Sequence, residues 1–521
     1  MIAPNGAMTH PGDMFADSTA HSTPKGTGNE PTAKHPAPSM DGVAEAEAWM
    51  RSRFPGALLQ RNAGRVFASG KSGISGFESE YLLAACLGPA GSPGAPWKFN
   101  PDTREYLRYD PKCGLYRPEP PAAVEYAVAR ILEQCARESG TRRPERIRAL
   151  QKLRHIRQVV EALKGVAPIA ESEFERDLTC IHVANGILNL ERLELHDFSP
   201  DRPARYGLPI QWDPAAPRPR RFIRFLARMF PSTADRRLAV RLLAMAMLGN
   251  PFQKVAIIYG ASRSGKSTLT KLFGSFVGDE AYGQLRLELS GGRFEAASWI
   301  GKLVLAQLDA PEEILQANTN VLKAISGQDR FEAEYKFAPK RHRFTPTALP
   351  IITSNRLPRL RLEDDRDAWL HRLLILRTEA GPHAKPVREF EAALMREEGP
   401  GILFLVAREA QRLLGAGTLK LTRAQRRRVE LMVDASDPIR TFVRHYVQPA
   451  QGATLYTADA YAAVKTYLRM NQFEFIPDGR IQRQFREAME TVHGGRRSNS
   501  LPPSPGKSTR GWRHFRLCDD G

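Results

Sequence analysis

The chain of 521 residues is 42% hydrophobic and 26% charged, the proportions of a water-soluble globular protein with material for about two to four domains. Its 76 lysines and arginines outnumber 57 aspartates and glutamates, and the net charge of +19 favours a polyanionic partner, nucleic acid ahead of an anionic membrane. It has no apolar run of about 20 residues and no secretory signal pattern. Its five cysteines (Cys86, Cys113, Cys135, Cys180 and Cys518) are scattered, which argues against a zinc site or a disulfide framework and predicts a cytoplasmic protein without a membrane partner.

Residues 1–40, rich in Pro, Ser, Thr, Gly and His, read as a disordered tail. A poorly defined segment follows over 41–96, with one short helix at 43–54 and a glycine-proline loop at 88–96. An α+β module is expected over 97–219. Within it, 106–116 predicts two short strands joined by a turn, 122–137 and 144–164 predict helices, and 181–198 alternates around Asn185 and Gly186 as a hairpin does. Trp212 to Pro219 is proline-rich and reads as a linker. Helical periodicity then fills 222–248, with apolar positions at Phe222, Phe225, Leu226 and Met229.

Residues 255–259 form a short apolar, partly β-branched run that predicts a buried strand. The next nine residues are Gly260, Ala261, Ser262, Arg263, Ser264, Gly265, Lys266, Ser267 and Thr268, the pattern of a phosphate-binding loop. A helix follows, with Leu269, Leu272, Phe273 and Phe276 on one face. The glycines let consecutive N–H groups turn towards one anion, and the helix N-terminus adds a favourable dipole. Lys266 supplies a charge for the β- and γ-phosphates of ATP, and the Ser267 hydroxyl a ligand for Mg²⁺. Further strands are predicted at 303–308, ending at Asp309, at 349–353, ending at Ser354 and Asn355, and at 373–376. Strands alternating with helices over 220–382 mean an α/β domain, a mainly parallel sheet with helices on both faces.

Asp309 is placed to hold Mg²⁺ through water, unless it is a helix cap or a surface acid. Glu312 and Glu313 stand ready to act on the lytic water or simply to begin a helix. Asn355 is placed to hold that water against the γ-phosphate; a lone Asn would be a turn residue. Arg372 suits a finger that completes a neighbouring subunit's site, with Arg359, Arg361 and Arg366 as rivals. Lys323, Lys336, Lys340, Arg341, His342 and Arg343 interleave with Phe331, Tyr335, Phe337 and Phe344, which suits a single strand with stackable bases, or else a charged surface hairpin. A helical connector is expected over 383–435. Beyond it, 436–521 carries helices at 457–470 and 479–492 followed by a two-stranded extension that ends in a strand at 511–517, the layout of a winged helix. Arg480, Arg483 and Arg486 share a helix face there, suited to duplex phosphates or to solvent alone.

Taken in order, GASRSGKST, GKLVLAQLDAPEE, VLKAISGQD with Lys336 downstream, IITSNRLPRL and WLHRLLIL resemble the superfamily 3 helicases, in particular the phage, plasmid and pox-virus primase-helicase group. HVANGILNLERLELHDFSP resembles that group's helicase-associated module, and LYTADAYAAVKTYLRMNQF its C-terminal winged helix. The resemblance implies an AAA+-like ring, usually hexameric, that hydrolyses ATP with Mg²⁺ between subunits. It implies movement 3′ to 5′ on single-stranded and forked DNA, for replication of a phage, plasmid or integrated element in a bacterial host. It makes Lys266 and Ser267 nucleotide and Mg²⁺ ligands, Asp309 the acidic strand-end residue, Asn355 the sensor, Arg372 the finger and Lys336 part of the DNA-channel loop. The chain departs from the group in having Ser262, Arg263 and Ser264 where Gly-x-Asn is common. It also shows no paired-carboxylate strand for a primase. The expectation is therefore a helicase without its primase, partnered by a separate primase or initiator. The alternative is an ATP-dependent, origin-binding initiator that does not unwind.

Overall fold

The computed structural model describes residues 43–518 apart from 55–63, 72, 88–95, 175–176, 288–294, 312, 315, 334–341, 361–365, 380, 382–388, 472, 474–475, 505 and 507. The tail expected over 1–40 lies outside the described residues. The first core collects α1 (Val43–Arg53), the hairpin β1 (Phe67–Gly70) and β2 (Gly73–Phe77), and α2 (Glu80–Ala85). It continues through β3 (Trp97–Asn100), β4 (Glu105–Asp110) and the helices α3 (Pro121–Glu138), α4 (Pro144–Arg148) and α5 (Leu153–Val166), while β5 (Leu115–Glu119) completes the antiparallel sheet and buries Tyr116 in a separate small cluster with Leu107, Tyr109 and Ile169. The single helix expected over 144–164 is broken, because Lys152 is extended (φ −62, ψ 134). In one unbroken helix Ile147 and Ile156, nine residues apart, would lie on opposite faces. The break lets both bury in the same core.

A meander follows: β6 (Cys180–Val183), β7 (Gly186–Asn189) and β8 (Glu194–His196), one strand more than the expected hairpin. Its Ile181, Val183 and Leu188 share a continuous core with Leu208, Ile210 and Trp212, and with helices on the far side of the proline-rich stretch. Those helices are α6 (Arg220–Met229) and α7 (Thr233–Leu248). They interrupt the helical stretch expected as one, since Phe230 is extended (φ −129, ψ 98) as a residue before proline must be.

The central elements are β9 (Val255–Tyr259), α8 (Lys266–Val277), β10 (Tyr282–Gln284), β11 (Val304–Gln307), β12 (Glu313–Ile314), α9 (Gln316–Gly327), β13 (Phe331–Ala333), β14 (His342–Phe344), β15 (Leu349–Ser354), β16 (Arg359–Leu360), α10 (Arg366–Arg372) and β17 (Leu373–Arg377). Five of the strands make one parallel sheet in the order β10-β11-β15-β9-β17. Alternation divides its side chains between two cores, as the period of two in a strand requires. Ala256, Ile258, Ile351 and Leu374 face α6, α7, α8 and α11 (Phe390–Ala416). Val255, Ile257, Ile352 and Ile375 face Leu322 and Ile325 of α9, Trp369 of α10, and Val429 and Met432 of α12 (Arg423–Ser436). In α11, Gly401 lets the proline-rich stretch lie against the helix: a Cβ there would sit 2.4 Å from the Pro217 carbonyl oxygen.

The last unit has its own core of α13 (Pro438–Tyr446), β18 (Val447–Tyr456), α14 (Thr457–Met470), α15 (Asp478–His493) and β19 (Gly511–Leu517). Here the expected layout is corrected. The two paired strands do not both follow the helices; β18 precedes α14 and pairs antiparallel with β19. It escapes recognition because a register shift between Pro449 and Thr454 destroys its alternation. None of the described helices is long and apolar enough to cross a membrane.

Candidate nucleotide-binding site

The loop 260–265 leaves β9 at the edge of the sheet where β11, β15 and β17 also end. Gly260 (φ +151) is required there, since a Cβ would meet Thr378 Oγ1 at 2.1 Å. Gly265 (φ +92) starts α8 in the left-handed region, and no side chain caps the helix. First-turn N–H groups are thus left to a ligand. Arg263 also has a left-handed backbone (φ +62).

Lys266 is buried, at 5% exposure, at the first position of α8. Its Nζ donates to the carbonyls of Gly260 (2.7 Å) and Ala261 (2.8 Å) and to Asn355 Oδ1 (3.2 Å). Burial lowers the pKa of its ammonium, and the negative charge of Asp309 opposes that shift. Asp309 has a positive φ of 47°, its N–H donates to Thr353 Oγ1 (3.2 Å), and its carboxylate makes no hydrogen bond among the described residues. The structure therefore brings together Lys266, Asp309 and Asn355. Ser267, Ala261 and Ser262 are exposed beside them and Thr268 is half-buried.

Sequence reasoning missed Thr378. Its hydroxyl bonds the fully buried Ser264 hydroxyl (2.7 Å) and its N–H donates to the Tyr259 carbonyl (2.8 Å), which ties the loop to the end of β17. A hydroxyl residue two positions beyond the apolar run 373–376 was the available signal.

Arg372 is not brought to the loop. It ends α10 just before β17, where Leu373 pairs with Val255. That is the opposite edge of the sheet, about 16 Å away at ~3.3 Å per residue. Its neighbour Lys254 is held below the ordinary lysine range by burial and by the Arg372 charge, and Arg372 Nε is buried with no hydrogen-bond partner among the described residues. Two rival arginines are engaged elsewhere: Arg366 pairs with Asp434, and Arg359 lies 5.6 Å from the Phe473 ring centroid. Arg361, Glu312, Lys336, Lys340 and Arg341 lie outside the described residues, as does the Glu313 side chain. Lys323 is half-buried on α9. Arg480 and Arg483 lie on α15, where Arg483 is exposed and 4.0 Å from Glu487.

Two family models match the chain. Residues 91–231 match one described as D5 N terminal like. The D5-like stretch begins before β3 and runs through α6, so it crosses the proline-rich segment as the continuous core does. Residues 258–372, from the end of β9 to Arg372, match a family of unknown function, DUF5906, and contain Lys266, Asp309, Asn355 and Arg372. No curated protein matches the chain. Among solved structures, the A form apo structure of the NrS-1 C terminal region is 12% identical, with a TM-score of 0.42, covering 77% of this chain and 87% of that one. An apo structure of the same NrS-1 region is 12% identical, with a TM-score of 0.43 and coverages of 77% and 88%.

Proposed function

We propose that the chain is an ATP-dependent DNA helicase, a homo-hexameric ring moving 3′ to 5′ along single-stranded DNA at a fork. It serves replication of a phage, plasmid or integrated element in the cytoplasm of a bacterial host, alongside a separate primase or initiator. The observation that carries this reading is the Lys266 ammonium held between two loop carbonyls and the strand-end amide of Asn355. Triphosphate oxygens are stronger acceptors than those carbonyls, so a nucleotide draws Lys266 onto its β- and γ-phosphates and frees Asn355 to orient the attacking water. The uncapped start of α8 and the missing Cβ atoms of Gly260 and Gly265 suit the phosphates, which residues 260–268 would wrap. Ser267 and the unpartnered carboxylate of Asp309 would hold Mg²⁺, which neutralises phosphate charge when bound.

The position of β15 between β9 and β11 supports an AAA+-like reading, because it inserts the Asn355 strand between the loop strand and the Asp309 strand. Arg372, on the far edge, would reach the nucleotide of the next subunit and neutralise transition-state charge. Lys323, Lys336, Lys340 and Arg341 would line the DNA channel. The order α13-β18-α14-α15-β19 supports a winged helix whose Arg480 and Arg483 contact duplex phosphates. The D5-like match at 91–231 supports the replication role. The separately folded basic unit favours the second reading, an origin-binding initiator that uses ATP only to assemble.

The test is ATP hydrolysis with and without single-stranded DNA, with mass by light scattering and strand displacement on a fork. Stimulated hydrolysis, a ring mass and displacement are expected. Origin binding without displacement selects the initiator; a monomer whose hydrolysis ignores DNA overturns both.

A further inference from the structure

We propose that the C-terminal unit carries a second ligand site, in the groove between α15 and β19, that takes one nucleotide unit by its phosphate. The groove encloses about 370 Å³, within the range of small-molecule pockets. Arg483 and Arg486 of α15 line it with Arg496 and Arg497 of the following loop, together with Glu487 and Glu490. Arg486 is held by one hydrogen bond, from Nε to the Gln482 carbonyl at 3.2 Å, and the other three are less engaged within the fold. Arg496 makes no hydrogen bond or ion pair among the described residues, Arg497 donates to Asn499 Oδ1 at 3.3 Å, and Arg483 reaches Glu487 only at 4.0 Å. Gly495 holds their loop close, since a Cβ there would come within 2.9 Å of the Phe515 ring.

A second observation points to a ligand. Trp512 also lines the groove, is fully buried, and its indole N–H has no hydrogen-bond partner among the described residues. Folded proteins seldom leave a buried donor unpaired. Clustered guanidinium groups beside a spare N–H lack acceptors, which phosphate oxygens supply in the geometry that arginine forks prefer.

The two glutamates decide against a continuous backbone. Carboxylates repel a line of phosphates but accept from base N–H groups and sugar hydroxyls. A bare phosphate would leave both facing water and most of the groove empty. The chemistry that fits is one exposed phosphate carrying one nucleoside, either the end of a strand or a free nucleoside monophosphate. This unit folds around its own core, so the site is independent of the phosphate loop.

The experiment uses the full chain carrying Lys266→Ala, which weakens nucleotide binding at the phosphate loop without adding a competing nucleotide. Thymidine monophosphate is titrated by calorimetry into this chain and into the same chain with the double variant Arg496→Ala and Arg497→Ala added, thermal melting reporting that the variant is folded. Binding is expected to weaken by about tenfold or more on losing two charge-assisted contacts. Glu490→Gln, which keeps the fold but alters the nucleoside side, should change affinity for the nucleotide and leave inorganic phosphate unaffected. A labelled oligothymidine with and without a 5′-phosphate separates the sources. A phosphate-dependent gain that disappears in the double variant assigns a strand end, and nucleotide binding without that gain assigns a free nucleotide. Equal nucleotide affinity with and without the double variant, or inorganic phosphate binding as tightly as the nucleotide, overturns the proposal.

Discussion

The two edges of the central sheet are built from the same strands and are opposite in character. At the loop edge the polar groups satisfy one another: Lys266 on Gly260, Ala261 and Asn355, and Ser264 on Thr378. At the other edge Lys254 and Arg372 crowd like charges together and Arg372 Nε has no acceptor among the described residues. The first edge satisfies its own polar groups within one chain. At the second, no acceptor for Arg372 Nε stands among the described residues, and the finger role proposed for that arginine would supply one from the nucleotide of a neighbouring subunit.

Substitutions break or sharpen that contrast, the largest effect first. Arg372→Ala should keep nucleotide binding and lose about 10³-fold or more in turnover. Mixing it with Lys266→Ala should restore part of the rate, because mixed interfaces pair an intact loop with an intact arginine; steady-state hydrolysis across mixing ratios reads this out. Lys266→Ala alone should cost about 10²-fold in hydrolysis and weaken nucleotide binding, measured by titration with a labelled analogue. Arg366→Ala removes the anchor of α10 on Asp434, which also pairs with Arg444 at 3.1 Å; denaturant melts should show a loss of about 2–3 kcal/mol. Thr378→Val strands the buried Ser264 hydroxyl and should cost about 1–2 kcal/mol in the same assay.

The smallest effect is expected at Asp437, which caps α13 by accepting from the Arg440 N–H at 3.0 Å. Burial raises its pKa above the model-compound 3.8, outweighing the Arg440 N–H and the nearby charges of Arg440 and Arg366. A carboxyl raised in the folded state adds stability that is fully present below 3.8 and lost as pH rises through the raised value. Asp437→Asn keeps the cap and should change neutral-pH stability by less than about 1 kcal/mol while removing that acid-side dependence, read from melts across pH.

The central sheet was largely legible because its strands are continuous apolar runs ending in a polar residue, so Asp309 and Asn355 marked their own ends. The helix after the loop was legible for the same reason of periodicity, and Leu269, Leu272, Phe273 and Phe276 are all buried. What escaped depends on contacts between distant residues. Thr378 meets Ser264 across 114 positions, which no local pattern records. The break at Lys152 follows from which faces Ile147 and Ile156 must present, and β18 has lost its alternation to a register shift. Arg372 was legible as a candidate, but its separation from the loop is a fact of strand direction.

The core that joins the meander at 180–196 to the helices on both sides of the phosphate loop has a mechanical consequence. Cutting the chain in the proline-rich stretch would strip Ile181, Val183, Leu188 and Trp212 from beneath α7, α8 and α11 and expose their partners to water. Heat should therefore melt the meander and the loop's supporting helices as a single cooperative block. A pull on the D5-like stretch would then be felt as strain beneath the very helix that begins with Lys266.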